Sequence, residues 1–458
     1  MLKKPIHIVA VIGGAVAGSI AAAMLAEQGY MVVVFEQGPR PYGKIEDGLP
    51  KWHIKLRLQE QKKIDQRLSH PNVFFVPNTK VGKDVSFAEL INHWGFTAVL
   101  LANGAWQDRP LPVPGADQFV GKGLIYQNEL VKWFNHKDED GFSRNPFFIP
   151  DNAIVIGGGL ASLDVVKIIM LETVYEALKK RGFETDMYEL EQETIAKILG
   201  RYKLSLKDLN LKGCTLYYRR KVIDMPLSEI PDNIPDERKQ NFYNARLKIL
   251  NKFQQDYLFQ FRECTVPTGL IIDQDSLVGL RISKSEIVDG KVKILGKSEQ
   301  KIFSPLVVSS IGSIPEPISG IPQDNELYKI SDVTTGQVEG FGNVFAIGNV
   351  VTGKGNIKAS SNHGKQVAEY LSENFLAQND GDYEQVIQFA ENRSVKRVRK
   401  ITENLDTKSY PSIEMNRDTL VKIGYRQKQV GYKNDYSAWI KSHSSVISSE
   451  FTRTVYTE

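Results

Sequence analysis

The strongest constraint on this chain is a strand–turn–helix pattern that occurs twice, each time with a glycine-rich turn after an apolar run. Residues 6–12 (IHIVAVI) read as a buried parallel strand, Gly13-Gly14-Ala15-Val16-Ala17-Gly18 as the turn, and SIAAAMLAEQG as a helix ending at Gly29. A second strand, 31–35, closes on Glu36, 18 residues after Gly18. The pattern returns at 153–156 (AIVI), with Gly157-Gly158-Gly159-Leu160-Ala161-Ser162 leading into an apolar helix from Leu163 to Leu171. The strand after it, 214–218, ends in Arg219-Arg220 instead of an acid.

Each position in the first turn has a physical task. Gly13 permits the sharp turn, a small residue at Ala15 lets a pyrophosphate approach the backbone, and Gly18 lets helix and strand pack closely. The helix N-terminus attracts phosphate charge, and Glu36 accepts hydrogen bonds from ribose hydroxyls. In the second unit, the paired guanidiniums of Arg219 and Arg220 fit a 2′-phosphate, which favours NADP over NAD. Two dinucleotide sites imply two nucleotides, a flavin in one and a nicotinamide in the other, with hydride passing between them. The strand end Ala346-Ile347-Gly348-Asn349 belongs with the first site.

Between these units the chain reads as strands at 72–76 and 97–101 and a Pro-rich connector at 110–114. A mostly helical stretch follows at 174–212, then a long amphipathic helix at 235–262 and an antiparallel excursion over 264–272, 277–283 and 291–295. A further helix is expected at about 360–376, and from about 381 the chain is polar and rich in Lys and Arg.

Composition narrows the chemistry. Of the 458 residues only Cys214 and Cys264 are cysteines, which excludes a disulfide framework, a Cys-ligated iron–sulfur cluster and a Cys-x-x-Cys redox pair. Redox chemistry must therefore come from an organic cofactor, with no metal, in a reducing, cytoplasmic setting. A net charge of +4 is too small to imply nucleic acid but suits an acidic protein partner. No run of about 20 apolar residues reads as a membrane span, and the apolar run after Lys3 and Lys4 continues into a strand pattern as mature fold.

Several ordered stretches carry a resemblance: Pro41-Tyr42-Gly43, Gly48-Leu49-Pro50-Lys51-Trp52-His53, Val81-Gly82-Lys83-Asp84-Val85 with Glu89-Leu90, Leu163-Asp164-Val165, Arg219-Arg220, and Ser309-Ser310-Ile311-Gly312. Together they resemble the adrenodoxin-reductase type of ferredoxin–NADP reductase and, more distantly, the small subunit of glutamate synthase. The resemblance implies an α/β fold of two Rossmann-like three-layer dinucleotide-binding domains. The FAD domain would comprise 1–108 and 320–380, interrupted by an NADP domain at 109–319 and followed by a C-terminal extension, 381–458. It implies hydride transfer from NADPH to FAD and single electrons passed on to an acidic ferredoxin-like iron–sulfur protein. His53 and Asp164 match a pair near the nicotinamide. Gly43, Lys44, Val81, Gly348, Asn349, Gly355 and Ile357 fall at flavin contacts, Gly157 to Ala161 and Arg219-Arg220 at NADP contacts, and Glu229 at a ribose-contacting glutamate. The chain departs from the family at Gly158-Gly159-Leu160-Ala161, losing polar contacts to the NADP phosphates. It departs again at Asn349, where the family has a tryptophan. Lys51, Lys55, Arg57, Lys62, Lys63 and Arg67 suggest a basic rim near the flavin edge. Other readings stay open: an electron-donor subunit, a flavin monooxygenase, or a nucleotide-binding relic without turnover.

Overall fold

A computed structural model describes residues 4–139, 142, 148–227, 236–289, 291–350 and 381–443. The apolar runs become two separate open sheets. The first has seven strands in the order Ile330–Asp332, Gln337–Val338, Val344–Ala346, Ala98–Leu101, Ile8–Ile12, Met31–Phe35, Val73–Val76. Its five strands from Val344–Ala346 to Val73–Val76 are parallel, with Ile8 opposite Met31 and Val344 opposite Val99. The β-branched run IVAVI is buried along its whole length, as a parallel strand covered on both faces must be.

Side-chain alternation splits this sheet's core in two. Val9, Val11, Val32 and Val34 pack on one face, with Ala21, Ala22 and Leu25 of the helix Val16–Glu27. Ile8, Ala10, Val33 and Phe35 pack on the other, with Phe87 and Leu90 of the helix Phe87–His93. The helices Gly381–Leu405, Ile413–Gln429 and Tyr436–Ser442 complete both layers. Val398, Ile401, Leu405 and Tyr436 join the first cluster, and Ile423 joins the second.

The second sheet has five parallel strands, ordered Leu124–Tyr126, Val307–Ser310, Ile154–Gly157, Thr215–Tyr217, Gln260–Arg262. Val155, Leu216 and Val308 face the helix Leu160–Lys180 and its neighbours. The opposite face meets an antiparallel sheet of four strands, Thr265–Asp273, Ser276–Val288, Lys291–Ile294 and Gln300–Phe303, through Leu277, Leu280 and Ile282. The expected antiparallel excursion thus serves as the third layer. The expected helix at 235–262 stops at Tyr257, and Gln260–Arg262 instead extends the second sheet at its edge. Two passages of chain link the sheets, Gln107–Asp108 and Ser313–Ile314, which pair antiparallel with each other. The helix expected at 360–376 lies outside the described residues.

Candidate active site at the junction of two dinucleotide folds

The first glycine turn is dictated by close approach. Gly13 has φ +96°, and a Cβ there would lie 2.7 Å from the Ala102 carbonyl oxygen. A Cβ on Gly18 would lie 1.8 Å from the Gly13 carbonyl oxygen, so no side chain fits. The helix begins at Val16 with no side-chain cap and no acid in its first turn, leaving its first N–H groups to an anionic ligand. Glu36 is buried; its Oε2 accepts from Gly14 N (2.9 Å) and its Oε1 from Gly38 N (3.1 Å). Burial pushes its pKa up while these backbone N–H groups pull it down. Each carboxylate oxygen keeps a further acceptor position.

The second turn solves the same packing problem differently. A Cβ on Gly157 would lie 2.4 Å from the Ser310 carbonyl oxygen. At the third fingerprint position stands Ser162, whose Oγ accepts from Gly158 N (2.9 Å) and donates to the Ser310 carbonyl (2.9 Å). The serine thereby ties the turn to the neighbouring strand. The helix Leu160–Lys180 likewise starts without a side-chain cap or an early acid. The Tyr218 ring packs over Gly158, where a Cβ would approach it to 2.2 Å.

A cavity of about 600 Å³ opens where the two units meet. Gly13, Ala15, Glu36, Gly43, Lys44, Val81 and Gly348 line it from the first unit, Ala161 from the second, and Tyr383 from the C-terminal helix. Gly348 has φ +71° and stands so close to the helix start that its Cβ would lie 2.8 Å from Ala17 Cβ. At the junction, His53 Nε2 lies 3.9 Å from Asp164 Oδ1, and the Tyr383 hydroxyl donates to Asp164 Oδ2. Lys44 Nζ donates to Asn128 Oδ1 (3.0 Å) and Ser313 Oγ (2.9 Å), and burial lowers its pKa to about 8. Nearby Asp108 is raised to about 6 by burial.

Comparison with known proteins agrees with this architecture. Residues 7–174 match the pyridine nucleotide-disulphide oxidoreductase family. The NADPH-ferredoxin reductase FprA of Mycobacterium leprae (strain TN) is 26% identical over 416 residues, 83% of this chain and 86% of that protein. The mitochondrial NADPH:adrenodoxin oxidoreductase of Arabidopsis thaliana is 28% identical over 175 residues, 37% of this chain and 34% of that protein. The structure of Mycobacterium tuberculosis FprA in complex with NADPH superposes with a TM-score of 0.65 at 20% identity, covering 93% of this chain and 91% of that one, a likeness of fold.

The chain is similar to oxidoreductases of the adrenodoxin-reductase type. The residues present fit that family's two nucleotides, FAD and NADPH. Gly13, Ala15 and Gly348 line the cavity, and neither Gly13 nor Gly348 has room for a Cβ. In the second unit Arg219 and Arg220 follow the strand Thr215–Tyr217, their carbonyls fixed by Ser285 Oγ (3.0 Å) and Cys264 N (3.1 Å). Arg220 Nε is buried without a hydrogen-bond partner among the described residues, as suits a guanidinium awaiting an anion.

The structure also differs in places from what the sequence suggests. Lys51 and Arg57 do not belong to a basic rim: both are buried, Lys51 against Asp138 Oδ2 (2.6 Å) and Arg57 beside Glu46, Asp47 and Glu139. Lys63 pairs with Glu60 (2.6 Å) and Arg67 with Glu391 (2.9 Å), while Lys55 and Lys62 are exposed. Asn349 sits in a short 3₁₀ turn, Gly348–Val350. Glu229, Gly355 and Ile357 lie outside the described residues. Sequence reasoning missed Ser162 and Tyr383. Ser162 carried a signal in its fingerprint position; Tyr383 carried none, because it lies in a segment read as a polar C-terminal extension.

Proposed function

We propose that this protein passes electrons from NADPH through FAD to a ferredoxin-like one-electron carrier. Bound FAD supplies the conversion between chemistries, taking two electrons with the hydride of NADPH and releasing them singly. The protein's part is binding, orientation and electrostatics. The Gly13–Gly18 turn and its helix N-terminus hold the FAD pyrophosphate, and Glu36 accepts from the ribose hydroxyls. The Gly157–Ala161 turn holds the NADPH pyrophosphate, and Arg219 and Arg220 grip the 2′-phosphate. His53 and Asp164 orient the nicotinamide amide. In this reading residues 1–108 and 320–380 form the FAD unit and residues 109–319 the NADP unit.

One observation carries the proposal: the cavity lined by Gly13, Ala15 and Glu36 of the first unit reaches Ala161 of the second fingerprint. Two nucleotides laid on these turns converge there. An acidic iron–sulfur protein suits the net charge of +4 and the exposed Lys55 and Lys62. No helix among the described residues is long and apolar enough to cross a membrane, and a reducing cytoplasm suits so few cysteines.

The test is an anaerobic titration of the purified yellow protein with NADPH. The flavin absorbance bleaches stoichiometrically, and oxidised ferredoxin restores it. A yellow protein that NADPH cannot bleach is a relic. NADPH oxidation stimulated by a small organic molecule, with oxygen consumed, marks a monooxygenase instead.

A further inference from the structure

The C-terminal helix Gly381–Leu405 packs against the first fingerprint helix, and its first turn reaches the junction of the two units. Ile387 anchors it there in a cluster with Ile45, Leu49 and Leu56. That anchoring fixes where the helix presents Tyr383. Its hydroxyl donates to Asp164 Oδ2, and its ring meets the His53 imidazole edge-on, centroids 4.9 Å apart at 65°. The same tyrosine lines the cavity between Ala161 and the Gly13 turn.

We infer that Tyr383 is a positioning residue that holds the nicotinamide half of the NADP site closed until the pyridine ring displaces it. The inference rests on the proposed function and adds a specificity device to it. A carboxamide that takes its orientation from Asp164 and His53 competes with Tyr383 for both groups. Docking it breaks a hydrogen bond to a carboxylate and an aromatic contact. The adenylate half, gripped at Arg219 and Arg220, binds without disturbing either. The nicotinamide half therefore adds little net affinity in the native protein, and Tyr383 favours release after transfer.

Calorimetric titration of the flavin-loaded protein with NADP⁺ and with 2′,5′-ADP, which lacks the nicotinamide, tests this. In Tyr383→Ser, which loses both the hydrogen bond to Asp164 and the ring contact with His53, the NADP⁺ Kd falls by more than about tenfold, the weight of one hydrogen bond to a charged group, while the Kd for 2′,5′-ADP stays unchanged. In Tyr383→Phe, which keeps the ring and loses the hydroxyl, NADP⁺ tightens by a smaller factor. If both ligands shift together, or NADP⁺ does not tighten in either variant, Tyr383 is structural and the inference is wrong, although 2′,5′-ADP binding still upholds the NADP site. If the folded, yellow native protein binds neither ligand, the two-nucleotide reading and this inference fail together.

Discussion

At the scale of single residues, function divides between backbone and charge. Gly13 and Gly18 act by what they lack, and the distances to Ala102 and Gly13 leave no room for any replacement. Arg219 and Arg220, proposed to act by charge, stand at the end of a strand whose neighbour carries the second fingerprint. Replacing both with Ala should raise the NADPH KM by tenfold or more, since hydrogen bonds to charged groups contribute about 1.5–3 kcal/mol each. The KM for NADH should hardly move, and steady-state kinetics with both coenzymes checks this; equal losses would remove the 2′-phosphate role. The geometry of the first turn was legible in the sequence because its determinants are local. Gly13, Gly18 and Glu36 sit within one βαβ unit, whose spacing specifies the turn. Tyr383 was not legible, because its partner Asp164 lies 219 positions away. The burial of Lys51 and Arg57 was hidden for the same reason, since Asp138 and Glu139 come from a distant segment.

At the scale of elements, the short helix Lys44–Asp47 and the turn after it are clamped to the helix Gln127–His136, which belongs to the other sheet. Asn135 Nδ2 donates to the carbonyls of Glu46 (2.9 Å) and Leu49 (2.8 Å), and Lys132 pairs with Asp47 (2.5 Å). His136 Nε2 lies 2.9 Å from Asp47 and its Nδ1 2.9 Å from Glu139. Burial alone would lower the His136 pKa, but these carboxylates outweigh it and raise it from 6.5 to about 9. The folded state thus binds its proton more tightly than the unfolded chain does. The resulting stabilisation is fully present below pH 6.5 and is lost as pH rises through about 9. Its size is on the order of 1–3 kcal/mol. Lys44 works in the opposite sense: burial lowers its pKa from 10.5 to about 8, so its penalty is relieved as pH climbs between those values. Thermal melts of the native protein and of His136→Gln across pH 6–9.5 separate the two. The variant should melt several degrees lower at pH 6, and the gap should close by pH 9.5. A constant gap would mean that proton binding at His136 does not hold the clamp.

At the scale of the whole molecule, the last three described helices complete the first unit's core. The Lys/Arg-rich stretch after 381 read as a polar C-terminal extension because its apolar residues are sparse. Folding collects them on one side: Val398 is fully buried while Lys396, Arg399 and Lys400 stay exposed. Val398, Ile401, Leu405, Tyr432 and Tyr436 pack on one face of the seven-stranded sheet and Ile423 on the other. At about 1.5–3 kcal/mol for each large buried apolar side chain, these six together contribute about 10 kcal/mol or more. That equals or exceeds the net stability of an ordinary domain, about 5–15 kcal/mol. A chain ending at residue 380 would leave Val9, Val11, Val32 and Val34 without the outer part of their cover, beside a cavity that the helix Gly381–Leu405 also lines. Such a truncation should therefore recover little soluble protein, bind a hydrophobic dye strongly and carry less than one flavin per chain. Expression yield, dye fluorescence and the ratio of flavin to protein absorbance measure the three effects. A soluble, dye-silent truncation with a full flavin complement would show that the first sheet closes its core without these helices and that they serve docking instead.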